Sequence, residues 1–114
     1  MYRNKTILAL AKECPFCCMC ERHNDGTVVA AHSNQIRDGK GKGIKAHDYR
    51  IAFICNTCHS EIDQGKRFSK YEKFEMWDEA HRKTIGWLFE NGYVQINKNP
   101  ATAPTVPGLQ SHRA

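Results

Sequence analysis

Apolar positions gather in a few short stretches, separated by polar or glycine-rich chain. Residues 5–13 (Lys-Thr-Ile-Leu-Ala-Leu-Ala-Lys-Glu) are mostly good helix formers and predict a helix leading into the first cysteines. Asn24-Asp25-Gly26 is a turn signal. The run Thr27-Val-Val-Ala-Ala31 that follows, β-branched in its first half, predicts a short buried strand. Arg50-Ile-Ala-Phe-Ile54 predicts a second strand. Between the two, Gly39, Gly41 and Gly43 alternate with lysines, so the stretch from Ser33 to Tyr49 reads as a loop. Connections of that length are usually functional or disordered.

Beyond the second strand the period changes from two to that of a helix. Cys58-His-Ser-Glu-Ile-Asp63 predicts a short helix ending near Gly65. Ser69-Lys-Tyr-Glu72 fits a capping box, and Phe74, Trp77, His81, Ile85 and Leu88 follow at helical spacing. With Gly92 as a C′ residue, this predicts a long helix over 70–91. The stripe is a core-facing surface, which makes His81 a packed histidine and not a ligand. Residues 93–96 read as a short strand or extended segment. The sequence predicts one α+β domain over 1–97, with an N-terminal helix and a long C-terminal helix. From Lys98 to Ala114 prolines, small and polar residues predict a disordered tail.

A chain of 114 residues fits one domain with a limited core, for which an extra staple would help. Six cysteines are available: Cys14, Cys17, Cys18, Cys20, Cys55 and Cys58. In a secreted protein they would form disulfides. The apolar run near the N-terminus is too short for a secretory signal and no stretch is long enough to span a membrane, so a reducing, cytoplasmic setting and metal ligation are expected. The Cys-x-x-Cys spacing recurs at Cys14/Cys17, Cys17/Cys20 and Cys55/Cys58. Two short pairs from distant segments suit one tetrahedral Zn²⁺. Such an ion would tie the chain before the first strand to the chain after the second, contributing on the order of 10 kcal/mol. Cys55 and Cys58 supply one pair. The first cluster holds more sulfurs than the two positions left, and Cys18 fits no pair spacing.

Charge adds a partner class. The net charge is +5, from 17 Lys and Arg against 12 Asp and Glu, which favours polyanions. Arg37, Lys40, Lys42 and Lys45 concentrate cations in the predicted loop, where they can meet a polyanion such as nucleic acid. Read one at a time, each is equally a solvated loop residue. His23 and His47 read as surface residues, with His47 placed beside Asp48.

His32 closes the first strand. His59 directly follows the second Cys-x-x-Cys, and Asp63 lies four residues on, so both side chains share one helix face. An imidazole and a carboxylate on one face, opposed by a strand-end histidine, can hold a divalent ion and leave positions for water and phosphate.

Taken in order, Glu13-Cys14, Thr27-Val-Val-Ala-Ala-His32, Lys45-Ala-His-Asp48 and Cys55-Asn-Thr-Cys-His-Ser-Glu-Ile-Asp63 resemble the HNH, or ββα-metal, endonucleases. Within these they are most similar to the prophage-encoded YbcO-like nucleases. The resemblance covers roughly residues 5–66. It implies a zinc-stapled ββα-metal fold and a phage or prophage DNA endonuclease acting in DNA processing or recombination in a host cytoplasm. It implies His32 as general base, Asp48 in the middle position that orients the base, and His59 and Asp63 as ligands of a catalytic Mg²⁺, Mn²⁺ or Ni²⁺, with His59 counted in the catalytic set. It also implies Cys14, Cys20, Cys55 and Cys58 as ligands of the structural zinc: Cys14 follows the family's glutamate, and Cys20 matches by its distance to Thr27. Two positions depart from the family. Ala31 stands where most members carry a metal-binding Asp or His, which leaves His32 open as base or ligand, and Asp48 replaces an asparagine.

The competing reading is a non-catalytic zinc ribbon that binds DNA or protein. It accounts for the cysteines and the charge, but not for the placing of His32, His59 and Asp63. A redox role for Cys-x-x-Cys lacks the βαβ surroundings such proteins need.

Overall fold

The computed structural model describes residues 1–97; the tail predicted for 98–114 lies outside the described residues. The first helix, α1 (Lys5–Ala9), is capped by Asn4, whose side chain accepts the Ile7 N–H at 3.1 Å. It tightens into a 3-10 turn over Leu10–Glu13, so the predicted helix exists but changes pitch halfway. Pro15 explains where it stops, because the residue before a proline is driven out of the helical region and Cys14 is extended.

The two predicted strands pair antiparallel. Strand β1 (Val29–His32) and strand β2 (Ile51–Ile54) align Val29 with Ile54 and His32 with Ile51. Thr27 is left out of β1 because Asp25 draws its N–H and hydroxyl into a side-chain turn, at 3.1 and 2.6 Å. Every residue of β2 is buried. Its continuous apolar run reflects cover on both sides: the cysteine segment, where Cys18 N–H donates to the Phe53 carbonyl at 2.8 Å, and the long C-terminal helix.

Helix α2 (Asn56–Asp63) follows β2 directly, with Cys55 as its N-cap residue. Helix α3 (Lys70–Glu90) carries the predicted capping box: Ser69 Oγ accepts from Glu72 N–H at 3.1 Å, and Glu72 Oε1 accepts from Ser69 N–H at 2.8 Å. Three turns of α3 also bond to the hairpin backbone. Trp77 Nε1–H donates to the Ala31 carbonyl, His81 Nδ1 to the Ile51 carbonyl, and Thr84 Oγ1 accepts the Phe53 N–H. The core runs along this seam through Ile51, Phe53, Ile54, Trp77, Ala80 and Leu88.

His81 is packed, as its place in the stripe predicts. Its ring stacks on Trp77 with centroids 4.9 Å apart, and burial lowers its proton affinity despite the bond to Ile51. The strand considered for 93–96 does not form. Gly92 (φ +77) reverses the chain, and Gly92 and Tyr93 N–H return to the Phe89 and Leu88 carbonyls at 3.1 and 2.9 Å, a Schellman closure. The loop between the strands is ordered by Ser33 and Asp38, whose side chains bond at 2.5 Å, by a 3-10 turn at Ile36–Asp38 and by a bridge between Gly41 and Ile44. Among the described residues, no helix is long and apolar enough to cross a membrane.

Candidate metal centres

The sulfurs of Cys17, Cys20, Cys55 and Cys58 lie within 4.8 Å of one another. Cys17 faces Cys58 and Cys20 faces Cys55, each pair 3.9 Å apart. A tetrahedral zinc with Zn–S bonds of about 2.3 Å sets its sulfurs about 3.8 Å apart, so the donor set fits that ion. These spacings are far too long for S–S bonds of about 2.05 Å.

The turn that presents Cys17 and Cys20 closes through Glu21, whose φ of 66 lets its N–H return to the Cys17 carbonyl at 2.9 Å. Three backbone N–H groups point at Cys17 Sγ: Met19 at 3.3 Å, Cys20 at 3.4 Å and Cys55 at 3.2 Å. Burial pushes the Cys17 thiol up, but these donors outweigh it and hold it below its ordinary value. Cys58 is driven the other way, by burial and then by its sulfur neighbours. Four thiolates this close require a cation to ionise together.

The resemblance noted in the sequence implies Cys14 as the first ligand; the structure instead places Cys17 in the cluster. Cys14 precedes Pro15 in extended chain and turns inward, its thiol donating to the Phe16 carbonyl at 3.3 Å and lying 4.0 Å from Cys18 Sγ. Both Cys14 and Cys18 are fully buried and pack in the core. The donors converging on Cys17 come from backbone geometry, which Cys-x-x-Cys spacing cannot rank.

His32, at the end of β1, meets Asp48 from the loop: Nε2 lies 2.8 Å from Oδ1. The Asp48 side chain is only 4% exposed, against 16% for His32. Its other partners come from the N-terminal arm. Asn4 N–H donates to Oδ2 at 2.7 Å and Arg3 Nη1 to Oδ1 at 3.1 Å. Burial pushes the Asp48 carboxyl up, but the bonds from His32, Asn4 and Arg3 overcome this and leave it below the usual carboxylate value. Arg3 also bonds the Ala46 and Lys45 carbonyls at 2.5 and 2.9 Å, stapling the arm to the loop. Sequence reasoning missed Arg3 and Asn4, which carry no motif and lie 45 and 44 residues from Asp48. His47 supports the same corner. It accepts the Tyr2 N–H through Nδ1 and stacks on Tyr49 at 4.9 Å. Gly39 packs so closely on it that a Cβ there would lie 2.7 Å from the ring.

On α2, His59 Nε2 stands 3.1 Å from Asp63 Oδ2, with both side chains more than a third exposed. Metal–ligand bonds of about 2.1 Å place adjacent octahedral ligands about 3 Å apart, so the pair fits two positions of one hard cation. Asn34, two residues beyond His32, donates to Asp63 Oδ1 at 3.2 Å. The expected convergence of His32, His59 and Asp63 is not present as one cluster. Among the described residues, the four sulfurs form the only group of three or more such donors that meet within ligand distance. His32 is drawn to Asp48 instead, because that buried carboxylate occupies its Nε2.

Of the loop cations, Arg37 is paired with Asp78 at 2.8 Å. Lys42 and Lys45 are exposed and Lys40 is half-buried. No family model matches the chain, and no curated protein or solved structure matches it.

Proposed function

We propose that this chain is a metal-dependent DNA endonuclease of the HNH type, encoded by a phage or prophage and hydrolysing phosphodiester bonds in DNA processing or recombination. The observation that carries the reading is the His32–Asp48 pair at the end of β1, on a hairpin whose second strand leads into a helix bearing His59 and Asp63. A thiolate cluster beside that helix start is the staple such a small domain needs.

An ionised carboxylate only accepts, so Asp48 requires hydrogen on His32 Nε2 and leaves Nδ1 as the basic nitrogen. His32 then acts as general base: Nδ1 takes a proton from water as the water oxygen attacks phosphorus, and the bond to the leaving sugar oxygen breaks. Asp48 holds the ring and stabilises the imidazolium that results. Arg3 and Asn4 keep Asp48 ionised and in place. A divalent ion held by His59 and Asp63 would supply charge stabilisation at the phosphate and the leaving oxygen. Lys40, Lys42 and Lys45 fit a sequence-tolerant grip on the backbone.

A second reading is a zinc ribbon that binds DNA or protein without cleaving. It is favoured by one observation: His59 and Asp63 satisfy each other as an i,i+4 pair, with no third donor joining them in a ligand cluster among the described residues. Plasmid nicking with magnesium, manganese or nickel separates the two. The nuclease reading expects metal-dependent nicks that both His32→Ala and His59→Ala abolish. DNA binding with no cleavage under any of the three metals would leave the binding module.

A further inference from the structure

A cleft of about 280 Å³ opens between the chain after β1, the end of α2 and the first turns of α3. It is lined by Asn34, Gln35, Ile62, Lys70, Lys73, Phe74 and the largely buried Trp77. The cleft adjoins the His59–Asp63 pair, because Asn34 at its edge bonds Asp63 at 3.2 Å. The nuclease reading assigns it no role.

Its groups are fixed rather than loose. Trp77 is held on one side by His81 and at its edge by the Ala31 carbonyl. Gln35 donates to Asp78 at 2.8 Å and Lys73 to the Gly65 carbonyl at 2.6 Å. Each amide commits one N–H to a carboxylate and retains its carbonyl and second N–H for a ligand. Lys70 Nζ lies over the Phe74 ring, 5.7 Å from its centre, so one face of that ring already carries a cation.

We infer that this cleft receives one unpaired nucleotide of a DNA strand. Aromatic faces stack on any base, and amides pair with base edges. The cations of Lys70 and Lys73 suit the phosphate. The volume lies at the small end of ligand pockets, which matches a single nucleotide and not a longer segment. A base stacked in a duplex has both faces covered, so only an unpaired or extruded base can enter. The inference rests on the nuclease reading for its choice of nucleic acid as ligand, and it adds that the preferred substrate carries a single-stranded or flipped position next to the scissile phosphate.

The test measures binding of a short fluorescein-labelled single-stranded DNA, and of the same sequence as duplex, to the full zinc-loaded chain. No catalytic metal is added, so cleavage plays no part. Single strand is expected to bind at least several-fold tighter than duplex. Phe74→Leu keeps the apolar packing and removes the ring; it should weaken the single strand about tenfold and leave the duplex unchanged. Lys70→Ala, at an exposed position, should weaken the single strand by a smaller factor. Equal affinity for duplex and single strand, or wild-type single-strand binding by both variants with zinc retained, overturns the inference. Nicking by those same variants at wild-type rate would then leave the nuclease reading standing. The expected binding pattern without nicking in any metal would uphold the cleft and remove the enzyme.

Discussion

The two candidate metal centres lie at opposite ends of one design choice. The cysteine cluster is closed: four matched donors within 4.8 Å of one another and three backbone N–H groups on Cys17. The imidazole–carboxylate region is open: two pairs, His32 with Asp48 and His59 with Asp63, the second exposed to solvent. A closed donor set favours permanent binding and therefore contributes to folding. An open one leaves coordination positions for water and substrate at the cost of affinity. On the proposed reading, stability and chemistry would be given to different ions.

The largest expected effect breaks the closed centre. Cys17→Ser should lose the zinc and, with it, on the order of 10 kcal/mol of apparent binding free energy, enough to unfold the domain. Cys14→Ser should keep a full zinc and cost about 1 kcal/mol in core packing. Zinc counting with thermal melts reads both. Equal zinc loss in the two variants would return Cys14 to the ligand set.

Next comes the open region. Asp48→Ala should retain zinc but slow cleavage by roughly a hundredfold or more, because no acceptor then fixes the His32 tautomer. An unchanged rate would remove Asp48 from the machinery. The same carboxylate gives a pH signature. Its folded pKa lies below the ordinary 3.8, so its contribution is present above that value and is lost as pH falls through the folded pKa. Acid unfolding followed by circular dichroism should therefore begin at higher pH in Arg3→Ala, which lacks one of the bonds holding Asp48 ionised. A coincident acid transition in Arg3→Ala and wild type would contradict this.

The contrast also explains what the sequence reveals. Both strands, the presence of α2, the capping box of α3 and the core role of His81 follow from period and local chemistry, which act over a few residues; α2 itself starts two residues before the predicted Cys58. The sulfur cluster was legible as two Cys-x-x-Cys pairs, yet choosing Cys17 over Cys14 needs the inward turn before Pro15 and the three N–H groups. For the imidazole–carboxylate region only the residue types and their order were legible, and the expected meeting of His32, His59 and Asp63 is absent among the described residues. The meeting of the N-terminal arm with Asp48, across more than forty residues, and the preference of His32 for Asp48 over the α2 pair are tertiary facts that no local pattern encodes.

The smallest effect lies in the loop. Lys42→Ala, at an exposed position, should weaken DNA binding modestly and reduce the slope of log K against log salt by about one. A slope equal to wild type would show that this lysine meets solvent and not phosphate.

The most direct measurement counts zinc and assays plasmid nicking in the same sample, before and after mild chelation. The account predicts one zinc per chain retained throughout. It also predicts nicking lost on chelation and restored by added magnesium, manganese or nickel. Zinc and activity departing together, or an intact zinc with no nicking under any added metal, would contradict a separate hydrolytic centre.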